Sequence, residues 1–167
     1  MFSITPVGTH FIPGIRKLAF EIWPVSYRTI LSEEQLGYML ELFYSETALR
    51  NQMEQKHHQF VMAFEGETPV GFASYAASEE NASHFHLHKI YVLPECHGKG
   101  YGKKLIQYIR GEIEKQEACC LTLNVNKHNP ALEFYQHLGF RIRESVIIEI
   151  GNGYVMDDYI LELSPIT

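Results

Sequence analysis

Cysteine is scarce in this 167-residue chain: there are three, and two of them, Cys119 and Cys120, are adjacent. That is no disulfide framework, and free thiols in a reducing cytoplasm are the expectation. No apolar run approaches the length of a membrane span. Met1 to Lys17 lacks the basic-then-apolar layout of a secretion signal. Positive charge is also short, with 14 Lys and Arg against 20 Asp and Glu and a net charge of −6. This balance argues against a nucleic-acid partner and tilts toward cationic ones. Repeats, low-complexity tracts and long linkers are missing too. What remains is an ordinary soluble composition, long enough for a substantial core in one domain, residues 1–167.

The most informative stretch runs Tyr91-Val92-Leu93-Pro94-Glu95-Cys96-His97-Gly98-Lys99-Gly100-Tyr101-Gly102-Lys103-Lys104-Leu105. It reads as a strand, a short glycine loop and the start of a helix. Glycines at alternate positions leave little bulk between their backbone N–H groups and a ligand. The helix behind them directs its unpaired N–H groups and positive dipole end to the same place. This is an anion seat, suited to phosphate or pyrophosphate, with Lys99, Lys103 and Lys104 adding charge. A Walker loop needs four residues between its glycines and then Lys-Ser/Thr; a dinucleotide fingerprint needs G-x-G-x-x-G. The chain has G-x-G-x-G followed by Lys103-Lys104, so neither nucleotide reading fits.

His97-Gly98-Lys99-Gly100-Tyr101-Gly102 instead resembles the acetyl-CoA pyrophosphate loop of the GCN5-related N-acetyltransferases, R/Q-x-x-G-x-G/A. Downstream, Asn129-Pro130-Ala131-Leu132-Glu133-Phe134-Tyr135-Gln136-His137-Leu138-Gly139-Phe140 is similar to that family's N-x-x-A-x-x-F-Y-x-x-x-G-F pattern. The resemblance is clear over about residues 59–163. It implies a single α/β domain, with a mixed, mostly antiparallel sheet, a bulged central strand and helices on both faces. It also implies acetyl-CoA as donor and direct transfer to a primary amine, either a small molecule such as a polyamine or a peptide N-terminus. Dimers are common among relatives, so a homodimer is open. The layout around Trp23, Tyr27 and Ser32–Leu36 resembles the polyamine-acetylating bacterial branch.

Element signals agree with this frame. Phe2–Thr5 reads as a short strand. Phe11, Ile15, Leu18 and Ile22 recur at helical spacing, and Trp23-Pro24 is expected to close that helix. Ser32 with Gln35 makes a capping box, with a stripe of Leu36, Met39, Leu40 and Phe43 behind it. A helix over about Glu46–Lys56 follows, then strands over Gln59–Phe64 and Pro69–Ala77. Near His84–Leu93 the apolar parity shifts, from Phe85 and Leu87 to Ile90 and Val92. A β-bulge near His88–Lys89 would allow that. In the resembled family a bulge here opens a V-shaped cleft, and freed backbone groups pair with the pantetheine arm; the matching residues are Ile90, Tyr91 and Val92. The loop helix is expected to reach about Gln116 on a core face of Leu105, Ile106, Ile109 and Ile113. Cys120–Val125 alternates as a strand. Asn129 is an N-cap, Pro130 a first helical residue and Gly139 the terminator. Two strands around Gly151-Asn152-Gly153 finish the chain.

Transfer of an acetyl group to an amine needs a base, an oxyanion donor and a proton for the leaving thiolate. The resemblance places the general acid at Tyr135. It also puts the cofactor against His97–Lys103, Asn129 and Phe134. His97 stands where relatives carry Arg or Gln: its backbone N–H can still bind phosphate, but its side chain is a weaker clamp. Some relatives use a glutamate as base on the strand after the loop helix, where this chain has Asn124. Others use a carboxylate on the bulged strand, where it has His86 and His88; His88, beside the supposed bulge, is the candidate base. A water chain with no dedicated base is the other route. His84, His86 and His88 share one strand face, which raises a metal reading, but no further ligand is evident. A non-catalytic acyl-CoA sensor is the other competitor. On the acceptor side, Tyr27, Tyr38, Phe43 and Tyr44 with Glu33, Glu34, Glu41 and Glu46 would hold a protonated amine. An amphipathic helix with a wet acidic face explains the same residues with no ligand, and is the preferred reading.

Overall fold

The computed structural model describes residues 1–166. Seven strands form one mixed sheet, accompanied by five α-helices. The elements are β1 (Phe2–Val7), α1 (Ile12–Ser26), α2 (Glu33–Tyr44), α3 (Glu46–Glu54), β2 (Gln59–Glu65), β3 (Thr68–Ala77), β4 (His84–Val92), α4 (Tyr101–Glu114), β5 (Cys120–Asn126), α5 (Ala131–His137), β6 (Arg141–Gly151) and β7 (Tyr154–Leu163). The strand order is β1-β2-β3-β4-β5-β7-β6. The β4–β5 pair is parallel, while β1–β2, β2–β3, β5–β7 and β6–β7 are antiparallel. Two compact units divide the chain: Met1–Ala76 with Lys89–Ile109, and Ala77–His88 with Arg110–Thr167. No helix among the described residues is long and apolar enough to cross a membrane.

In the first unit the helical spacing holds, with Ile15, Leu18, Ile22 and Trp23 buried on α1. Pro24 does not close that helix. It lies inside the last turn, and α1 runs on to Ser26 before Tyr27 N–H bonds the Trp23 carbonyl at 3.0 Å. A proline one turn from the end costs a single intrahelical bond, so helix loss begins after it rather than before it. Ser32 caps α2 by accepting from Gln35 N–H at 3.1 Å, as the capping signal predicts. The buried stripe of α2 is Met39, Leu40 and Tyr44, with Leu36 and Phe43 only half-buried. Ser45 ends α2 and caps α3, accepting from Ala48 N–H at 3.1 Å. That helix stops at Glu54, short of Lys56, and His57 takes a left-handed φ of 57°.

In the second unit Leu121, Leu123 and Val125 alternate as buried residues on β5. Asn152 and Gly153, both at positive φ (56° and 79°), join β6 to β7 in a two-residue turn. Gly139 follows α5 at φ 100°, the expected left-handed terminator.

The shift of apolar parity in β4 has a structural counterpart. Phe85, Leu87 and Lys89 are buried in alternation; then Ile90, Tyr91 and Val92 are all half-buried. Ser78 N–H bonds the His84 carbonyl at one end, and Leu93 N–H bonds the Val70 carbonyl at the other. Between those bonds β4 has one residue more than β3, which is the count a bulge produces. The parallel pairing with β5 covers His84–Leu87 and goes no further, although β4 continues to Val92.

At Gly71 the backbone of β4 comes close to β3. A Cβ there would sit 2.7 Å from the Tyr91 carbonyl oxygen and 3.3 Å from Val92 Cα. Backbone cannot swing aside as a side chain can. Gly71→Ala is therefore expected to destabilise the fold by about 1–3 kcal/mol. Denaturant unfolding should show a lower midpoint at unchanged slope; an unaltered midpoint would mean that this approach is looser than described.

Candidate active site

The glycine loop is built by a 3-10 turn over Pro94–Cys96 that hands the chain to α4. Gly98 and Gly100 take φ of 86° and 80°, the left-handed region that L side chains avoid. Both are exposed, and a Cβ on either would meet nothing within 4 Å. Their role is therefore conformational and outward-facing rather than a matter of internal packing. Lys104 N–H bonds the Gly100 carbonyl at 3.1 Å, making this the first turn of α4. The N–H groups at that end have no intrahelical acceptor and point out with the positive end of the dipole.

His97 is placed differently from the expectation. Its backbone N–H closes the 3-10 turn onto the Pro94 carbonyl at 3.1 Å. Its ring Nε2 lies 3.0 Å from the Val92 carbonyl oxygen, donating in the tautomer with Nε2–H. The His97 N–H is thus engaged within the turn. The lysines are also unequal. Lys99 pairs with Glu65 at 2.8 Å, and Tyr101, stacked on Phe2 at 4.2 Å, donates its hydroxyl to the same carboxylate. Lys99, and secondarily Tyr101, hold the Glu65 carboxyl below its usual range. Lys104 lies over the Phe2 ring at 5.0 Å, while Lys103 is exposed. Glu65, the last residue of β2, therefore ties the loop to the end of that strand.

The bulged strand offers backbone in the expected place. Leu93 N–H and the Tyr91 carbonyl face β3. By the two-residue period of a strand, Ile90 and Val92 turn their N–H and C=O groups the other way. The Val92 carbonyl is the one that His97 meets.

In the second unit, His86 and His88 are brought together, rings 4.7 Å apart. His86 Nδ1 lies 2.7 Å from Thr122 Oγ1. Burial, and secondarily the Arg143 charge, lower its pKa to about 4, so His86 is neutral near pH 7 and a poor base. His88 is exposed. The three strand histidines do not form a grouping of their own. Among the described residues, the potential metal-ligand cluster is His84 with Cys119 and Cys120, whose ligand atoms lie within 4.8 Å of one another. There, burial and the neighbouring Cys119 push the Cys120 thiol up to about 12, which favours the protonated form. On α5, Tyr135 is buried, its ring 5.9 Å from Phe140 and 5.3 Å from the partly exposed Phe134. Asn129 Oδ1 accepts from Ala131 N–H at 2.9 Å, the i→i+2 bond of a capping side chain, and Pro130 between them already has helical φ and ψ (−61°, −16°).

Comparison with known proteins decides what this arrangement is. The family model described as "Acetyltransferase (GNAT) domain" matches residues 29–156. The chain belongs to the GNAT acetyltransferase family. A spermidine N(1)-acetyltransferase of Thermoplasma acidophilum is 25% identical over 146 residues, which is 84% of this chain and 86% of that protein. A 5-NmdU N-acetyltransferase of Pseudomonas phage PaMx11 is 46% identical over 57 residues, 34% of this chain and 39% of that protein. The PaiA N-acetyltransferase of T. acidophilum, solved in complex with coenzyme A, superposes with a TM-score of 0.83 at 24% identity, covering 98% and 99% of the two chains. The Escherichia coli ribosomal-protein-S18-alanine N-acetyltransferase does so at 0.74 with 18% identity, covering 99% of this chain and 94% of the other.

For a GNAT domain, two features beyond the motif signals stand out. Asn124, where some relatives carry a glutamate, donates to the Asp158 carboxylate at 3.4 Å. Asp158 on β7 is buried, and burial raises its pKa. Only the Asp157-Asp158 pair in the sequence marks it, and adjacent acids in a strand ordinarily signify an exposed position. The second feature is Lys89, 8% exposed, its ammonium 5.0 Å from the ring centroid of the buried Tyr44. The aromatics Trp23, Tyr44, Phe72 and Tyr91 pack with ring centroids 5.5–5.9 Å apart. The face of Tyr44 is thus covered by the chain's own cation, and Glu33, Glu34, Glu41 and Glu46 are all exposed.

Burial, with Lys56 adding like-charge repulsion, lowers the Lys89 pKa from 10.5 to about 8. The unfolded chain then binds more protons than the folded one between pH 8 and 10.5, so Lys89 penalises folding below pH 8 and releases that penalty as pH rises. The full difference is about 3 kcal/mol. Lys89→Met is expected to keep or raise the melting temperature at pH 7 and to flatten the Lys89-dependent rise toward pH 10. Equal pH dependence in both proteins would mean that Lys89 titrates normally.

Proposed function

We propose that this GNAT domain, one domain over residues 1–167, transfers an acetyl group from acetyl-CoA directly to a primary amine. The observation that carries the reading is the loop itself. Two left-handed glycines and the free N-terminus of a fourteen-residue helix converge as an outward anion seat. In this reading Gly98, Lys99, Gly100, Tyr101, Gly102 and Lys103 hold the pyrophosphate, chiefly by backbone N–H groups. Ile90 and Val92 pair with the pantetheine by backbone groups, and Tyr91 between them faces β3. His97 yields the Val92 carbonyl when the cofactor arrives. Asn129, whose side-chain oxygen is engaged by Ala131, has its amide N–H groups left for the cofactor arm, and Phe134 packs against the cofactor.

The chemistry is a direct attack. His88, exposed beside the bulge, takes a proton from the acceptor ammonium, and the neutral amine attacks the thioester carbonyl. Collapse of the tetrahedral intermediate breaks the C–S bond; the Tyr135 hydroxyl protonates the leaving thiolate, and the tyrosinate is reprotonated by the second N–H proton that the new amide nitrogen loses. A dry position suits that task, and Tyr135 is buried. Acceptors proposed at the outset are small amines, including polyamines, and peptide N-termini; relatives bear names of both kinds. Neither a membrane nor a nucleic acid is proposed as partner, and the location proposed is the cytoplasm. A homodimer is proposed through the β6 side, where Ile142, Ile147 and Ile148 are exposed. Incubation with acetyl-CoA and an amine panel, read by free-thiol release and product mass, tests the activity. Thiol release without acetylated amine would reduce it to hydrolysis, and neither would contradict it.

A further inference from the structure

The Lys89 cluster lies wholly within the first unit and has a chemistry that the transfer steps do not use. Its ammonium is buried, and among the described residues it joins no ion pair. The charged group that acts on it is Lys56, which is also positive. A cation taken out of water this far ordinarily has an anion beside it. The Tyr44 face compensates only in part, because a ring quadrupole is a weak substitute for a carboxylate.

A second polar group is also left over. Ser74 Oγ is completely buried and has no hydrogen-bond partner. On β3 it lies two positions beyond Phe72, so it shares that residue's strand face. Phe72 in turn packs against both Tyr44 and Tyr91. The partly compensated ammonium and the unpartnered hydroxyl therefore border one aromatic cluster: Lys89 lies over Tyr44, and Ser74 shares the strand face of Phe72, which packs against Tyr44. Its half-buried members, Tyr27 and Tyr91, bring their hydroxyls within 3.0 Å of each other. Both leftover groups can donate, and what they lack is an acceptor with negative charge.

We propose that Lys89 and Ser74 bind a carboxylate carried by the acceptor, so that the preferred acceptors are amines bearing a carboxylate rather than polyamines. This rests on the acetyl-transfer reading above. A carboxylate accepts from the ammonium and the hydroxyl together. The second ammonium of a polyamine would instead meet Lys89 as a like charge in a place of low dielectric. The aromatic walls would then hold the aliphatic stem of the acceptor.

Ornithine and putrescine test this directly, since they differ by one carboxylate; lysine and cadaverine repeat the comparison. The wild-type protein should favour the carboxylate member by at least about tenfold in kcat/KM, and in Lys89→Met the ratio should fall to near one. Preference for the diamine, or an unchanged ratio in the variant, would overturn the proposal. A second readout is independent of turnover: the titration midpoint of Lys89, followed by carbon NMR of its ε position. Ornithine should raise it by about one pH unit or more, a tenfold coupling, and putrescine should not. If ornithine raises the midpoint but no amine is acetylated, the carboxylate site stands and the transfer reading fails. If no carboxylate moves it, the site is overturned whatever the turnover shows.

Discussion

Replacing Tyr135 by phenylalanine is expected to lower kcat by roughly 10²–10⁴-fold, with acetyl-CoA affinity changed by less than about threefold. The substitution removes one oxygen from a buried ring that packs on Phe140 and Phe134. The apolar contacts survive, so stability should change little, and binding does not need the proton. What disappears is the acid for the leaving thiolate. Pre-steady-state thiol release at saturating acetyl-CoA, with calorimetric titration of the same variant, separates the two effects. Equal loss of turnover and affinity would make Tyr135 a binding or packing residue. Unchanged turnover would assign the proton to solvent; a domain whose output survived the loss of catalysis would be an acyl-CoA sensor.

The second large effect is expected at Gly100. Valine there would carry a β-branched side chain at φ 80°, which costs about 1–2 kcal/mol or forces the loop to another conformation. Nothing within 4 Å obstructs the new Cβ, so the fold should persist. The backbone N–H groups would leave their common direction, and each hydrogen bond to a charged group is worth about 1.5–3 kcal/mol. Gly100→Val should therefore raise the acetyl-CoA dissociation constant by about a hundredfold, while the melting temperature falls by only a few degrees. An unaltered dissociation constant would remove the pyrophosphate from this loop.

The chain announced its loop and its α5 signature because both depend on local geometry. Glycines at 98 and 100 are needed for positive φ, and Asn129 and Gly139 bracket a helix by rules that act over a few residues. The bulge was legible for the same reason, as a change of parity along one strand. What local pattern did not reveal were groups that acquire meaning only across the fold. Glu65 ends β2 and meets Lys99 across 34 positions. Asp158 meets Asn124, also 34 positions away, in the antiparallel β5–β7 pairing. Lys89 reads as a solvated charge between Leu87 and Ile90, and only the burial of Tyr44 beneath it exposes its unusual position. The lysines of the loop read as a sum of charge, whereas Lys99 is already engaged by Glu65. Pro24 lies inside α1 because a proline in the last turn of a helix removes one bond rather than ending the element.

Whether the glycine loop seats the donor is read by calorimetric titration of the purified protein with acetyl-CoA, with ATP and NAD as controls. Saturable binding of acetyl-CoA is expected, with none of comparable strength for ATP or NAD, and with that binding lost in Gly100→Val. Binding of all three alike, or acetyl-CoA binding that survives Gly100→Val intact, would contradict that seating.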